Sequence, residues 1–251
     1  MPKVISVHSF RGGTGKSNTT ANLAAILASQ GKRVGVVDTD IQSPGIHVIF
    51  GLDESKIEHS LNEYLWGKCK IDETAHDVSA NLGGSVSGKV FLIPSSVKAG
   101  DITRFLREGY DPELLNKGFR ALISHLKLDV LLIDTHPGVN EETLLSIAIS
   151  DAVLIILRPD QQDYLGTGVT LELARRLNVE NLLLLVNKLP QSFDAAEMKA
   201  RIEDTYQCPV AAVIPHSEEL MALASSGVFA LKYPDHPVSK LYRQVAERVL
   251  A

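Results

Sequence analysis

The stretch Phe10-Arg11-Gly12-Gly13-Thr14-Gly15-Lys16-Ser17 decides how the rest of this 251-residue chain folds. An apolar run over residues 4–9 precedes it and is typical of a β-strand, and an Ala- and Leu-rich segment over residues 18–30 follows it and is typical of a helix. A strand, a glycine-rich turn and a helix N-terminus together form an anion site. The backbone N–H groups of the turn point inward, and the helix dipole adds partial positive charge.

This arrangement predicts phosphate binding. Lys16 is placed to reach the β- and γ-phosphates of a nucleotide, and the Ser17 hydroxyl is placed to ligate Mg²⁺. The common phosphate-loop pattern has Gly five residues before Gly15, whereas this chain has Phe10 there. A glycine-rich turn that binds nothing is the alternative, and the flanking strand and helix patterns disfavour it.

Composition sets the broad class of protein. The hydrophobic content is 45%, the charged content 22% and the net charge −5, which disfavours both a disordered chain and a uniformly basic nucleic-acid binder. Cys69 and Cys208 lie far apart and form no CxxC pair, so a structural zinc or disulfide framework is not supported. Apolar runs are strand-length, and the first strand starts near the N-terminus without room for a secretory signal. We expect residues 1–251 to form a single cytoplasmic domain.

Short apolar runs separated by helical patterns predict the fold class. The runs are near-continuous Val, Ile and Leu, as in strands that are covered on both faces. Strands alternating with helices predict a doubly wound α/β fold, with a mostly parallel β-sheet flanked by helices on both faces, of the Rossmann-like P-loop NTPase type. Ligands of such sheets bind at the carboxyl ends of the strands. The seven predicted strands cover residues 4–9, 33–38, 90–94, 130–134, 152–157, 182–186 and 210–214.

Two further motifs follow predicted strands. Asp38 and Asp40 come at the end of the second strand and before a Pro-Gly break, which favours a mobile acidic loop near the metal; a capping Asp38 and a solvated Asp40 are the alternative. Asp134 ends an apolar strand in the manner of a Walker B motif, and Gly138 follows it. We interpret the intervening His136 as an exposed residue without a catalytic role, because phosphoryl transfer depends on positioning and charge rather than on a base.

Taken together, these motifs resemble the deviant Walker A ATPases of the MinD/ParA family, in which a basic residue, usually Lys, precedes Gly-Gly-x-Gly-Lys-Ser. The resemblance implies that Arg11 crosses an ATP-bound homodimer to the partner's nucleotide. It also implies that Asp40 positions the attacking water, that Asp38 lies near Mg²⁺, and that Asp134 reaches Mg²⁺ through a water. The catalytic set is then Arg11, Lys16 and Asp40, and the metal set is Ser17, Asp38 and Asp134.

The base-binding residues are implied by the same resemblance. Asn187 ends another strand, and the resemblance implies that it contacts adenine together with a loop that contains Pro215. Pro190 stands where a guanine-specific motif would need an acidic residue. ATP is therefore expected rather than GTP. The implied nucleotide-binding set is Arg11, Gly12, Gly13, Thr14, Gly15, Lys16, Ser17, Asn18, Asn187 and Pro215.

The resemblance implies a function. We expect a Mg²⁺-dependent ATPase, slow without a partner, that dimerises around ATP and positions a chromosome, plasmid, septum or organelle with a protein activator or cargo adaptor. Arg11 and Phe10 leave open a nucleotide-binding localisation scaffold with little hydrolysis.

The C-terminal region bears on two other kinds of partner. Lys232, Lys240, Arg243 and Arg248 leave open nonspecific DNA binding, against a solvated helix face. The apolar spacing over residues 238–250 predicts a helix packed on the sheet rather than a MinD-type membrane anchor.

Overall fold

The computed structural model describes residues 1–83 and 86–251, and a single β-sheet runs through its centre. Within these residues eight strands lie in the order β3-β4-β2-β5-β1-β6-β7-β8, and every neighbouring pair is parallel except β3 with β4. The predicted α/β fold with a mostly parallel sheet is confirmed. The strands are β1 Lys3–His8, β2 Arg33–Asp38, β3 His76–Asp77, β4 Lys89–Ile93, β5 Val130–Asp134, β6 Ala152–Leu157, β7 Asn181–Leu189 and β8 Val210–Pro215.

Each of the seven predicted strands is present, and their bounds shift by one residue at most except for β7, which runs three residues further than predicted, to Leu189. The additional strand β3 has only two residues, which is too short for a periodic sequence pattern to predict it. It pairs antiparallel with β4 at the edge of the sheet.

Helices cover both faces of the sheet, as predicted. The helix that begins at Pro112 is N-capped by Asp111, whose side chain accepts a hydrogen bond from the N–H of Glu113. The helices are α1 Lys16–Ser29, α2 Ile46–Ile49, α3 Leu61–Leu65, α4 Ala99–Glu108, α5 Pro112–His125, α6 Glu141–Ala148, α7 Gln161–Arg176, α8 Ala195–Tyr206, α9 Glu218–Ala222, α10 Phe229–Lys232 and α11 Pro237–Leu250.

The core forms because successive side chains of a strand enter opposite layers. In β5, Val130 and Leu132 pack in the layer that contains α1 and α11, whereas Leu131 and Ile133 pack in the layer that contains α5. A third apolar cluster joins β6 and β7 to α7 and α8. Burial on both faces leaves the carboxyl ends of the strands as the place where polar groups can gather.

The last helix packs against the sheet, as the apolar spacing predicts. Val238, Tyr242, Val245 and Val249 of α11 are at most 1% exposed and belong to the core layer that contains α1. Among the described residues, no helix has the length and apolarity needed to cross a membrane.

A flexible loop is predicted over residues 81–89, and Gly84 and Ser85 of that loop lie outside the described residues. Gly88, which precedes β4, lies against the turn between α1 and β2, and its N–H donates to the carbonyl oxygen of Ala28 at 2.8 Å. A Cβ atom at Gly88 would lie 2.7 Å from that carbonyl oxygen and closer still to the carbonyl oxygen of Lys32. Both neighbours are backbone atoms, which cannot move aside as a side chain can.

We therefore predict that Gly88→Ala lowers the free energy of unfolding by about 1–3 kcal/mol, as overpacking does elsewhere. The matched control is Gly100→Ala in α4, where a Cβ meets no atom within 4 Å. It should be neutral or stabilise by up to about 1 kcal/mol, because Ala favours helix over Gly. Urea unfolding followed by circular dichroism measures both. Equal stabilities of the two variants would show that the contact at Gly88 is not limiting.

Candidate functional site

The glycine-rich stretch at residues 10–17 forms a tight turn that leads from β1 into α1. Gly13 and Gly15 have φ angles of 75° and 99°, a left-handed conformation that strains residues with a Cβ. Gly15 is the N-cap of α1, and Lys16 is the first residue of the helix. The backbone N–H groups of the turn and the N-terminus of a 14-residue helix thus meet at one point.

The turn forms one wall of a cavity of about 640 Å³ at the carboxyl edge of the sheet. Lys188, His216 and Tyr242 also line this cavity, and no motif in the sequence assigns them a role. Tyr242 belongs to the last helix, so only the tertiary fold brings it here. The predicted site residues that line the cavity are Gly12, Gly13, Gly15, Lys16, Ser17, Asn18, Asp40, Asn187 and Pro215, whereas Arg11, Thr14, Asp38 and Asp134 do not.

Asp38 and Asp134 lie buried at the ends of neighbouring strands, each 1% exposed, and the register of β2 with β5 sets them side by side. Burial raises the pKa of Asp134 to about 6, although the ammonium group of Lys16 and a hydrogen bond from Ser17 oppose that shift. Burial also raises the pKa of Asp38, and the negative charges of Asp134 and Asp40 raise it further. The protein alone therefore leaves these carboxylates short of positive charge.

This shortage fits a bound divalent cation, which would stabilise both ionised carboxylates. Among the described residues, no three or more His, Cys, Asp or Glu side chains are arranged to hold a metal by themselves. Mg²⁺ usually keeps several waters and shares one or two carboxylates with substrate phosphates, so the donor set of Ser17, Asp38 and Asp134 fits that ion together with a nucleotide.

Asp40 is not solvated: its side chain is 14% exposed, and its Oδ1 lies 2.7 Å from Nδ1 of His136. The interpretation of His136 as an exposed residue without a role is wrong in its first part, because its side chain is only 18% exposed and contacts the acidic loop. The two residues are 96 positions apart, so no local pattern could have joined them.

Arg11 turns toward α7 of its own chain. Its Nη1 lies 3.4 Å from Oδ1 of Asp160 and 3.5 Å from Oδ1 of Asp163, and its side chain is 40% exposed. The ring of Phe10 lies on Gly166 of the same helix, where any Cβ would overlap the ring. The departure from the common phosphate-loop pattern at position 10 is therefore matched by a glycine in α7.

Two side chains tie the end of β7 to the turn. Nδ2 of Asn187 donates to the carbonyl oxygen of Thr14 at 2.7 Å, and Nζ of Lys188 donates to that of Gly13 at 2.8 Å. Asn187 thus lines the cavity, while its side-chain amide supports the predicted phosphate-binding turn at residues 10–17 (the phosphate turn). Its contact with adenine stays a prediction.

The predicted basic cluster near the C-terminus is partly engaged with the backbone. Arg243 donates to the carbonyl oxygen of Pro234 at 2.6 Å, and Arg248 donates to that of Val210 at 2.6 Å. Neither guanidinium is wholly available to a DNA phosphate. These bonds favour a structural role over a DNA-binding patch.

The chain is similar in sequence and in fold to several known proteins. A family model described as an AAA domain matches residues 2–189. The uncharacterized ATP-binding protein MJ0547 of Methanocaldococcus jannaschii is 28% identical over 100% of this chain and 88% of its own length. The septum site-determining protein MinD of Thermotoga maritima is 26% identical over 99% of this chain and 88% of its own length. The septum site-determining protein MinD complexed with Mg-ADP from Pyrococcus horikoshii OT3 superposes with a TM-score of 0.80 at 22% identity, covering 99% of this chain and 96% of that one.

We predict that one buried histidine beneath the turn, His8, makes the free energy of unfolding depend on pH. His8 is wholly buried, its Nδ1 lies 2.7 Å from Oγ1 of Thr135, and burial, followed by the charge of Lys16, lowers its pKa to about 3. The folded protein keeps His8 neutral, whereas the unfolded chain takes up a proton below a pH of about 6.5. Stability should therefore fall as the pH falls from 6.5 towards 3, by up to about 1.4 kcal/mol per pH unit from this group.

His8→Gln should remove that contribution, so that about one proton fewer is taken up on unfolding near pH 5. Urea unfolding at several pH values between 4.5 and 7 measures the slope. The exposed His125 provides the control, since His125→Gln should leave the slope as it is in the parent. An unchanged slope in His8→Gln would contradict the prediction.

Proposed function

This chain belongs to the MinD/ParA family of P-loop ATPases, and on that premise we propose that it binds ATP in the cavity described above and hydrolyses it. The observation that carries the proposal is that the phosphate turn, Asp40, Asn187 and Pro215 line one cavity, although they are dispersed along the chain. A cavity of about 640 Å³ lies within the usual range for a nucleotide-sized ligand.

Each residue has a role in the proposed reaction. The N–H groups of the turn and the ammonium of Lys16 hold the phosphates, and the carboxylate of Asp40 accepts a hydrogen bond from the attacking water. The water oxygen bonds to the γ-phosphorus, the bond from that phosphorus to the bridging oxygen breaks, and ADP leaves with the electron pair. Both hydrogens of the water end on the inorganic phosphate that forms. Ser17, with Asp38 and Asp134 nearby, would hold Mg²⁺, which when bound would neutralise part of the phosphate charge.

We further propose that ATP binding promotes a homodimer in the cytoplasm and that its cycle positions a chromosome, plasmid, septum or organelle with a partner protein that accelerates hydrolysis. The septum site-determining role of the MinD relative supports this. In such a dimer Arg11 would leave Asp160 and Asp163 and approach the partner's nucleotide. Its planar guanidinium suits phosphate oxygens.

A nucleotide-binding scaffold with little hydrolysis is the second candidate. One observation favours it: within a single chain Arg11 is held by Asp160 and Asp163 instead of lining the cavity. Steady-state phosphate release, repeated with DNA and with vesicles, separates the two candidates. A scaffold would bind ATP and release no phosphate above background under any of these conditions.

Lys16→Ala should weaken ATP binding by at least about tenfold, because it removes a charge-assisted bond to the β- and γ-phosphates. Calorimetric titration with ATP measures the affinity, and circular dichroism checks that the variant is folded. Lys117→Ala is the control, since the ammonium of Lys117 lies on α5 and its side chain is 71% exposed. Undiminished affinity in Lys16→Ala would remove the basis for a phosphate site.

Arg11→Ala should leave ATP binding by the monomer nearly intact and lose dimerisation and hydrolysis, since residues that act in trans on phosphoryl transfer contribute about 10³–10⁵ in rate. Arg11→Lys should keep most of the activity. Mixing Arg11→Ala with Asp40→Ala, each inactive alone, should restore partial activity, because one site of a mixed dimer combines an intact Asp40 with the partner's intact Arg11. Phosphate release and light scattering measure activity and dimers. Mixed dimers that stay inactive would rule out a role in trans.

A further inference from the structure

His136 joins two loops that both belong to the proposed site. It follows Asp134 and Thr135 at the end of β5, and its ring reaches the loop after β2, where Nδ1 lies 2.7 Å from Oδ1 of Asp40. In the motif Asp-Thr-x-Pro-Gly, position x leaves the residue type open, and this chain has His there. The contact is therefore a property of this sequence rather than of the motif.

The two oxygens of the Asp40 carboxylate have different surroundings. Oδ1 accepts hydrogen bonds from Nδ1 of His136 at 2.7 Å and from the N–H of Ser43 at 3.2 Å. Within residues 1–83 and 86–251, Oδ2 accepts no hydrogen bond from the protein. One oxygen of the carboxylate is thus anchored by two donors, whereas the other has no protein donor.

The position of the His136 ring relative to the cavity indicates its role. Asp40 lines the cavity, whereas His136 does not. The ring therefore supports the carboxylate from outside the cavity and is not placed to touch a nucleotide. Since an ionised carboxylate only accepts hydrogen bonds, Nδ1 carries the proton and donates it to Oδ1.

The backbone of His136 is itself held in place. The hydroxyl of Thr143 lies 3.4 Å from the carbonyl oxygen of His136, and Thr143 is 1% exposed in the first turn of α6. Gly138, two residues after His136, donates its backbone N–H to the carbonyl oxygen of Ser9 at 3.1 Å. The segment around His136 is thus fixed both to α6 and to the strand end before the phosphate turn.

We propose that His136 is a positioning residue, which holds Oδ1 of Asp40 so that Oδ2 faces the cavity and accepts a hydrogen bond from the attacking water. This proposal rests on the proposed ATPase function. Without the imidazole, the carboxylate keeps only the bond from Ser43 and samples other rotamers. A displacement of about 1 Å in such a group costs on the order of 100-fold in rate.

Three variants test the role. His136→Leu keeps the approximate volume of the ring and removes the donor, so kcat should fall by about 10- to 100-fold while KM and the ATP dissociation constant stay within about twofold. His136→Asn places an amide N–H on Cγ, where the ring carries Nδ1, and should recover most of kcat. His125→Leu, a change at an exposed histidine of α5, should match the parent.

A double-mutant cycle with Asp40 makes the test specific. Single turnovers with enzyme in excess measure the small residual phosphate release of Asp40→Ala that steady-state assays do not detect, and His136→Leu should not lower that residual rate further, because the group it positions is gone. A second full loss in that background, a faster His136→Leu enzyme, or no recovery in His136→Asn would each overturn the positioning role. If His136→Leu equals the parent while Asp40→Ala is inactive, only the role of His136 fails. If the parent binds ATP but releases no phosphate, the ATPase function fails and the positioning role with it.

Discussion

Parallel pairing at the centre of the sheet is the constraint on which the site depends. β1 lies between β5 and β6, and β2 lies on the other side of β5. All four strands run the same way, so their carboxyl ends open at a single edge. Burial on both faces disfavours charged groups in the middle of the strands, and such groups collect at that edge. The phosphate turn, the acidic loop and the segment around His136 are therefore neighbours for one topological reason.

Charge at that edge is unevenly balanced. Lys16 is 7% exposed, and its charge acts on the buried carboxylate of Asp134, which has the carboxylates of Asp38 and Asp40 nearby. Burial disfavours their ionised forms, which is why the pKa of each buried carboxyl is raised. A nucleotide with its cation would add charges of both signs in this place. The negative charge of the buried carboxylates is thus of the kind that a bound cation would balance.

Several side chains at this edge hold the loops of the proposed site in place. Asn187 braces the phosphate turn through the carbonyl oxygen of Thr14, and His136 braces Asp40. Arg11 is paired with Asp160 and Asp163, and the latter is 2% exposed and also paired with Arg158. These contacts hold the loops in one arrangement within a single chain. In the proposed dimer, the contacts of Arg11 with Asp160 and Asp163 would have to break for Arg11 to reach the second chain.

The sequence by itself determined the fold class, the seven longer strands and the phosphate turn, because those features depend on local pattern: apolar runs, a glycine-rich turn and an Ala- and Leu-rich helical segment over residues 18–30. The structure starts that helix two residues earlier, at Lys16. It also indicated that Asp38, Asp40 and Asp134 follow strands that share one edge. The tertiary structure alone decided three contacts. His136 pairs with Asp40, the ring of Phe10 packs against Gly166, and Tyr242 lines the cavity. Those contacts join residues that are 96 or more positions apart, and the order of strands in the sheet brings them together, which no local periodicity encodes.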